Sequence, residues 1–396
     1  MEIRPLRDSE LDQAAALDSD AFHGSADANR AAFERFVDPG RIQAALDGDR
    51  VVALCGVIGL SQFFGGRSIP MGGLSSVMVA PDWRGTGLSR RLMQASFEDM
   101  QARGEPITSL YPATTSLYRS MGYEIAGNIA IRKTTADPLR ALPPPAGGRV
   151  RPLRDGDEPA VRACYARFAK PINGCLDRKS DWWERKLFTW KDASRYVFEA
   201  ADSELQGYLV YVQIDGEHSA LGGDFGLVVR ELVATDRDAT LALWRLLGSW
   251  GTQVEQIVYR APAEDPTLLL LPEQRFQTLG EVRWMLRVLD PARAVGGRGF
   301  PHGLGLEVPF QLRDATLPDN SGPVRLCVQK GRGTLDRATE PGGPELDIQG
   351  FSSLFSGWAT TAALERAGLL RGGSPDERAA LDAAFAGPSP WMLDEF

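Results

Sequence analysis

The chain has 396 residues, is 43% hydrophobic and 24% charged, and carries a formal net charge of -8. At ~100–200 residues per domain, that length predicts two to four domains rather than one core. The acidic balance argues against a nucleic-acid partner and suits a cationic one. The N-terminus MEIRPLRDSELDQ is charged from its second residue, which predicts no signal peptide, and the longest apolar run, Val51 to Leu60, is too short to cross a bilayer as a helix. Cys55, Cys164, Cys175 and Cys327 form no CxxC pair, so reduced thiols in a cytoplasmic protein are expected, with no disulfide framework and no zinc. The three histidines, His23, His218 and His302, are too scattered for a metal cluster. The sequence has no GxSxG elbow and no Gly-Lys pair for a P-loop, and Gly85-Thr86-Gly87-Leu88-Ser89-Arg90 has Arg90 where a dinucleotide fingerprint needs its third glycine.

In chain order, Ile3 to Asp8 (IRPLRD) reads as a short strand running into a turn, capped by Asp8 or Ser9 and followed by an apolar-periodic helix over Leu11 to Phe22. Strands are expected at Arg50–Gly59 and Gly73–Val79, and an amphipathic helix at Leu88–Ala102. A strand at Pro106–Leu110, a short helix at Thr115–Ser120 and a strand at Tyr123–Lys133 follow. The six-residue pattern then returns at Val150 to Asp155 (VRPLRD), 147 residues on from residue 3, again before a helix (Ala160–Phe168, capped by Asp155 or Asp157). A repeat at a plausible domain length points to duplication.

The linker Leu142 to Gly148 (LPPPAGG) separates the copies, and the glycine-rich stretch Val295–Gly305 marks a second break. Three units are therefore expected: 1–145, 146–292 and 293–396. The second has candidate strands at Tyr196–Ala201, Gly207–Ile214, Phe225–Thr235, Gln256–Tyr259 and Glu281–Val288, with a helix at Ala239–Trp250. The third has strands at Leu306–Leu312 and Pro323–Val328, then helices at Thr360–Leu369 and Pro375–Phe385.

The most informative segment is Val77 to Leu92, VMVAPDWRGTGLSRRL. A strand meets a turn at Ala80-Pro81-Asp82-Trp83, and Arg84-Gly85-Thr86-Gly87 opens the next helix. This order gathers free backbone N–H groups, the positive end of a helix dipole and arginines, which makes a cradle for pyrophosphate.

The segment resembles motif A of the GCN5-related N-acetyltransferases (GNAT), Arg/Gln-x-x-Gly-x-Gly/Ala. Arg84, Gly87 and Ser89 stand at its three specified positions, Ser89 departing from the usual Gly or Ala. The resemblance implies that backbone amides from Gly85 through Thr86, Gly87, Leu88 and Ser89 to Arg90 bind the coenzyme A pyrophosphate. It also implies that Val77, Met78 and Val79 pair with the pantetheine arm as an added strand does. Ser116-Leu117-Tyr118-Arg119-Ser120-Met121-Gly122-Tyr123 resembles the family's LYxxxGF/Y segment. On that likeness Tyr118 and Arg119 are expected at the cofactor, and Tyr123 as the acid that protonates the departing thiolate.

The whole chain is similar to the enhanced intracellular survival (Eis) family. The fold implied is mixed α/β (α+β): two tandem GNAT-like domains, the second degenerate, plus a C-terminal sterol-carrier-protein-like domain. Val233-Ala234-Thr235-Asp236-Arg237-Asp238-Ala239 in the second unit lacks the glycines, so it should hold no pyrophosphate. Trp182, Trp183 and Trp190 there are read as packing residues. In that family the C-terminal carboxylate acts as base; here it belongs to Phe396, with Asp394 and Glu395 adding negative charge for a cationic amine.

The resemblance implies aminoglycoside- or polyamine-like amines or lysine side chains as acceptors and a homohexamer; the expected reaction is direct acetyl transfer from acetyl-CoA, without a metal, in a cytoplasmic protein that engages neither nucleic acid nor membrane. A protein lysine acetyltransferase is the competing enzyme reading. A non-catalytic acyl-CoA- or lipid-binding protein is the competing reading of another class.

Overall fold

The two RPLRD repeats fold alike. In the computed structural model, which describes residues 1–22, 25–36, 39–183, 192–215, 225–273 and 275–396, both close around one arginine–carboxylate pair. Arg4 donates to both Glu10 oxygens at 2.9 and 2.6 Å, and the Arg7 N–H donates to the same carboxylate at 2.9 Å. In the second copy Arg151 donates to Asp157 at 2.7 and 3.0 Å and the Arg154 N–H at 2.8 Å. The pairing holds the Glu10 carboxyl down at about 2, mainly through the Arg4 hydrogen bond. His23, His218 and Trp190 lie outside the described residues.

The first stretch of chain runs β1 (Glu2–Pro5), α1 (Leu11–Phe22), α2 (Ala26–Phe36), β2 (Ile42–Asp47), β3 (Arg50–Phe64), β4 (Arg67–Val79), α3 (Leu88–Ala102), β5 (Ile107–Leu110), α4 (Thr115–Ser120), β6 (Glu124–Thr134) and α5 (Ala136–Arg140). The middle continues with β7 (Arg149–Pro152), α6 (Glu158–Ala169), α7 (Ser180–Trp183), β8 (Ser194–Glu199), β9 (Leu205–Asp215), β10 (Phe225–Ala234), α8 (Arg237–Gly248), β11 (Val254–Ala261), α9 (Thr267–Leu270) and β12 (Phe276–Val288). The last part adds α10 (Pro291–Gly297), β13 (Leu306–Arg313), β14 (Gly322–Gln329), β15 (Arg332–Arg337), β16 (Glu345–Asp347), α11 (Ile348–Ser356), α12 (Thr361–Arg366), β17 (Leu370–Arg371) and α13 (Pro375–Phe385).

The chain divides into two compact units. One comprises residues 1–127, 283–388 and 395–396; the other comprises 128–282 and 389–394. In the first, β1 to β4 pair antiparallel in sequence order, β4 pairs parallel with β5, and β5 pairs antiparallel with the end of β12 (Val288 opposite Ile107, Met285 opposite Leu110). Helix α3 buries Leu88, Leu92, Met93, Phe97 and Met100, its i, i+4 apolar stripe. The same unit holds a second sheet, ordered β15-β14-β13-β16-β17. Beside it Phe310, Phe351, Phe355 and Phe385 pack ring to ring, and the buried Arg298 guanidinium donates to the Phe355 and Phe385 carbonyls.

The other unit repeats the strand order. β7, β8, β9 and β10 pair antiparallel, β10 pairs parallel with β11, and β11 pairs antiparallel with β6. Each parallel strand thus takes its outer partner from a distant part of the sequence.

The glycine of the LYRSMGY segment is required by packing. Gly122 has φ +88, and a Cβ there would lie 1.4 Å from Arg287 Nη1. Arg287 is fully buried, donates to Asp314 at 2.9 and 3.0 Å, and lies 5.1 Å from the Phe97 ring centroid. Gly122→Ala is therefore expected to cost about 2–5 kcal/mol through left-handed strain plus displacement of a buried ion pair. Urea denaturation checks this; an unchanged midpoint would contradict it.

Candidate active site

The site begins where β4 and β5 stop pairing. Their parallel register runs Met71–Ile107, Gly72–Thr108 and Gly73–Ser109, yet β4 continues to Val79. Beyond Gly73, β4 leaves its β5-side backbone without a strand partner among the described residues. A bulge lies in the same stretch: between the pairs Leu54–Met78 and Gly56–Ser75, β3 has only Cys55 while β4 has Ser76 and Val77. Ser76 sits at φ +48, and the half-buried Asp18 of α1 hydrogen-bonds it. Burial raises the Asp18 carboxyl above its ordinary value. Val77 and Val79 are partly exposed, while the Met78 side chain is buried and only its backbone can serve the cleft.

Past Val79 the chain turns at Pro81–Trp83, and the Thr86 hydroxyl donates to the Trp83 carbonyl at 2.7 Å. Gly85 and Gly87 take φ +79 and +82, and nothing lies within 4 Å of either missing Cβ. Gly87 caps α3 with no side-chain hydrogen bond. The first turn of a helix has no internal acceptors for its N–H groups, so Leu88, Ser89 and Arg90 present theirs outward beside the positive helix end. Arg84 and Arg90 are exposed; Leu88 points its side chain into the core.

The structure separates the two tyrosines. Tyr123 is fully buried, its hydroxyl bonded to Thr108 Oγ1 at 3.1 Å, its ring packed on Phe97 at 6.0 Å. Burial raises its phenol far above the ordinary value. The expectation that Tyr123 supplies the proton meets an interior hydroxyl already committed to a neighbour. Tyr118 retains 8% exposure, and no hydrogen bond engages its hydroxyl among the described residues. It sits beside Cys55, edge-on to Tyr123 at 5.9 Å, and burial pushes its phenol up to about 12. Arg119 is paired with Glu124 at 2.8 Å, so its charge is largely neutralised locally.

The chain's end is divided between the units. Phe396 belongs to the first, where its ring lies edge-on to Tyr111, just after β5, at 5.9 Å, and against Gly73. The C-terminus therefore lies where β4 and β5 part. Glu395 is partly exposed in the same unit. Asp394 corrects the reading that it faces a cationic substrate. It is fully buried in the other unit, bonded by Trp182 Nε1 at 2.7 Å, Arg178 Nε at 3.1 Å and the Tyr165 hydroxyl at 3.3 Å. Its charge neutralises Arg178, which also holds Glu231 at 2.6 Å. Trp182 and Trp183 line this cluster, as packing residues do; Trp183 lies 4.9 Å from the Arg178 guanidinium.

Sequence reasoning missed Asp18, Gly73 and Tyr111. Each is marked only by its place beside the strand split, which becomes visible once the register is known.

The second unit has the same split without the cradle. β10 pairs with β11 only through Val228, then continues to Ala234. At the N-terminus of α8, however, Asp236 caps the helix with its own carboxylate, accepting from the Ala239 N–H at 2.8 Å. That carboxylate takes the place an anion would fill.

Comparison with known proteins places these features. Acetyltransferase (GNAT) domain models match residues 2–126 and 174–288, and a sterol carrier protein domain model matches 291–393. A GCN5-related N-acetyltransferase from Kribbella flavida is similar over the whole chain and 98% of its own, at 32% identity and TM-score 0.85. The chain belongs to the GCN5-related N-acetyltransferase family. A GCN5-related N-acetyltransferase from Anabaena variabilis is 26% identical, with TM-score 0.91 over all of both chains. The N-acetyltransferase Eis of Mycobacterium tuberculosis is 27% identical over 81% of this chain and 79% of its own. The protein is thus an Eis-like GNAT acetyltransferase, with two GNAT domains and a sterol-carrier-like domain. Enzymes of this family use acetyl-CoA.

Placing a carboxylate at the helix start tests the cradle. Gly87→Asp should oppose the pyrophosphate charge, while its left-handed backbone (φ +82), unlike the extended Asp236, keeps it from capping α3. Acetyl-CoA affinity is expected to fall at least ~100-fold, with left-handed strain costing about 1–2 kcal/mol of stability. Calorimetric titration beside thermal unfolding measures both, and unchanged affinity would contradict the assignment.

Proposed function

We propose that this enzyme transfers the acetyl group of acetyl-CoA directly to the amine of a small cationic molecule, of the aminoglycoside or polyamine kind, in one ternary complex. The observation that carries the reading is the strand split that runs from Gly73 into the glycine-lined start of α3, with the Phe396 ring seated at Gly73. The chain's residues fit acetyl-CoA: the Gly85–Arg90 amides would hold its pyrophosphate and the edge of β4 beyond Gly73 its pantetheine arm.

The Phe396 carboxylate accepts the proton of the ammonium group, because a protonated amine is no nucleophile. The freed nitrogen attacks the thioester carbonyl, with backbone N–H groups of the β4 bulge facing the developing oxyanion. The C–S bond breaks and the thiolate takes its proton from Tyr118, in place of Tyr123, whose hydroxyl is held by Thr108; the newly acylated nitrogen sheds its remaining excess proton, which restores the Tyr118 phenol. Asp18 and Glu395 give the acceptor side negative charge; Asp394 does not, being neutralised by Arg178. No group of three or more potential ligands for a metal occurs among the described residues, and the proposed chemistry uses none. Among those residues no helix is long and apolar enough to cross a membrane. A homohexamer in the cytoplasm belongs to the same reading and rests on the family resemblance.

The test is acetyl transfer to a panel of aminoglycosides, polyamines and lysine peptides, read as thiol release. Tyr118→Phe should lower kcat about 100-fold or more with acetyl-CoA affinity kept. Tyr123→Phe should lose less than ~10-fold and about 1 kcal/mol of stability with the Thr108 bond. With the Tyr118 phenol at about 12, its neutral form persists as pH rises, so kcat/KM should show no alkaline fall below about pH 11. Greater loss in Tyr123→Phe than in Tyr118→Phe would reverse the assignment, and preference for lysine peptides would favour a protein acetyltransferase.

A further inference from the structure

The helix that carries Tyr118 is too short to hold itself. α4 has six residues, and isolated helices shorter than ~12–15 residues are marginal in water. The Tyr118 phenol is therefore placed by whatever grips the chain around it. Three side chains from the sterol-carrier-like stretch do so, all within the first compact unit. Gln349 Nε2 donates to the Arg119 carbonyl at 3.2 Å, at the helix end where carbonyls run short of helical partners. Ser353 Oγ donates to the Ile125 carbonyl at 2.7 Å, beyond the turn. Between them Ile348 stands against Gly122, where a Cβ would lie 3.1 Å from Ile348 Cγ2. All three belong to α11. That helix is tied in turn to the catalytic sheet: Ser352 Oγ accepts from the Val288 N–H at 3.0 Å, on the part of β12 that pairs with β5.

We propose that α11 positions the Tyr118 acid, with Gln349 and Ser353 as positioning residues, so that the sterol-carrier-like domain is a working part of acetyl transfer. This rests on the reading of Tyr118 as the proton donor. Gln349 and Ser353 each hold a backbone carbonyl, one on either side of the turn at Met121 and Gly122, and act on the chemistry through Tyr118. The middle of the segment is fixed separately: Thr108 holds the Tyr123 hydroxyl, and Tyr118 rests edge-on against the Tyr123 ring at 5.9 Å. A general acid must lie within hydrogen-bond reach of the atom it protonates, and a displacement of about 1 Å can cost ~100-fold in rate. Releasing either end lets the phenol drift while the cradle at the start of α3 stays intact.

The experiment compares full-length wild type, Gln349→Leu, Ser353→Ala, Tyr118→Phe, and each α11 substitution combined with Tyr118→Phe. Each is assayed for kcat and KM with one accepted amine, and for acetyl-CoA affinity by calorimetry. Gln349 is only half-buried, so Gln349→Leu remains informative if Ser353→Ala fails to fold. Both single α11 substitutions should lower kcat about 10-fold, with the amine KM and the acetyl-CoA affinity within ~3-fold of wild type. In the Tyr118→Phe background the same substitutions should change kcat by less than ~2-fold, because the acid they position is gone. Equal fold-losses in both backgrounds, or wild-type kcat in both single α11 variants, overturn the positioning role and leave the acid reading standing. A fall in kcat matched by an equal fall in acetyl-CoA affinity assigns α11 to the cofactor site and overturns the proposal. Undiminished kcat in Tyr118→Phe overturns the acid reading itself, and the proposal with it.

Discussion

The site exists because β4 and β5 part after Gly73 and Ser109. A parallel pair that continued would bury every N–H and C=O of β4 in a ladder and leave nothing for a ligand to add to. Parting leaves an edge inside the unit rather than at its rim. The bulge at Ser76 and Val77 turns that edge further, and the chain then runs directly into the helix that supplies the anion cradle. On the proposed reading, this one interruption of hydrogen bonding serves the cofactor groove and the oxyanion donors, and it is where the Phe396 ring is received.

The duplication provides an internal control on this account. Both copies keep the arginine–carboxylate staple at the start, the strand order and the split between parallel strands. They differ at the helix that follows. In one, a glycine at positive φ leaves the helix end open; in the other, Asp236 satisfies that end itself. Buried charge in the second copy is likewise consumed internally, with Arg178 shared between Glu231 and Asp394. A scaffold that has spent its polar groups on itself is suited to structure rather than to binding a dianion.

Periodic segments were legible in the sequence. Helix α3 falls at the expected Leu88–Ala102, and α4 and α13 at their expected limits, because capping and apolar spacing are local properties. The first half of β4 was not legible: Pro70 and the pair Gly72-Gly73 interrupt its pattern, although the strand extends from Arg67. Helix α11 was missed because Gly350 and its serines are buried rather than placed on a polar face. The pairing of β5 with β12 joins residues far apart in sequence, which no local pattern encodes. The same limit governed the site. The cradle is a contiguous motif and could be read directly. The choice between Tyr118 and Tyr123, and the burial of Asp394, depend on Thr108 and Arg178, partners brought together only by the fold.

The most direct measurement of the central claim is hydrogen exchange of the backbone amides with and without acetyl-CoA, paired with calorimetric stoichiometry. The account predicts one acetyl-CoA per chain and new protection confined to residues 74–79 and 85–91. Two molecules per chain, or protection at the start of α8 around residues 235–240, would contradict it.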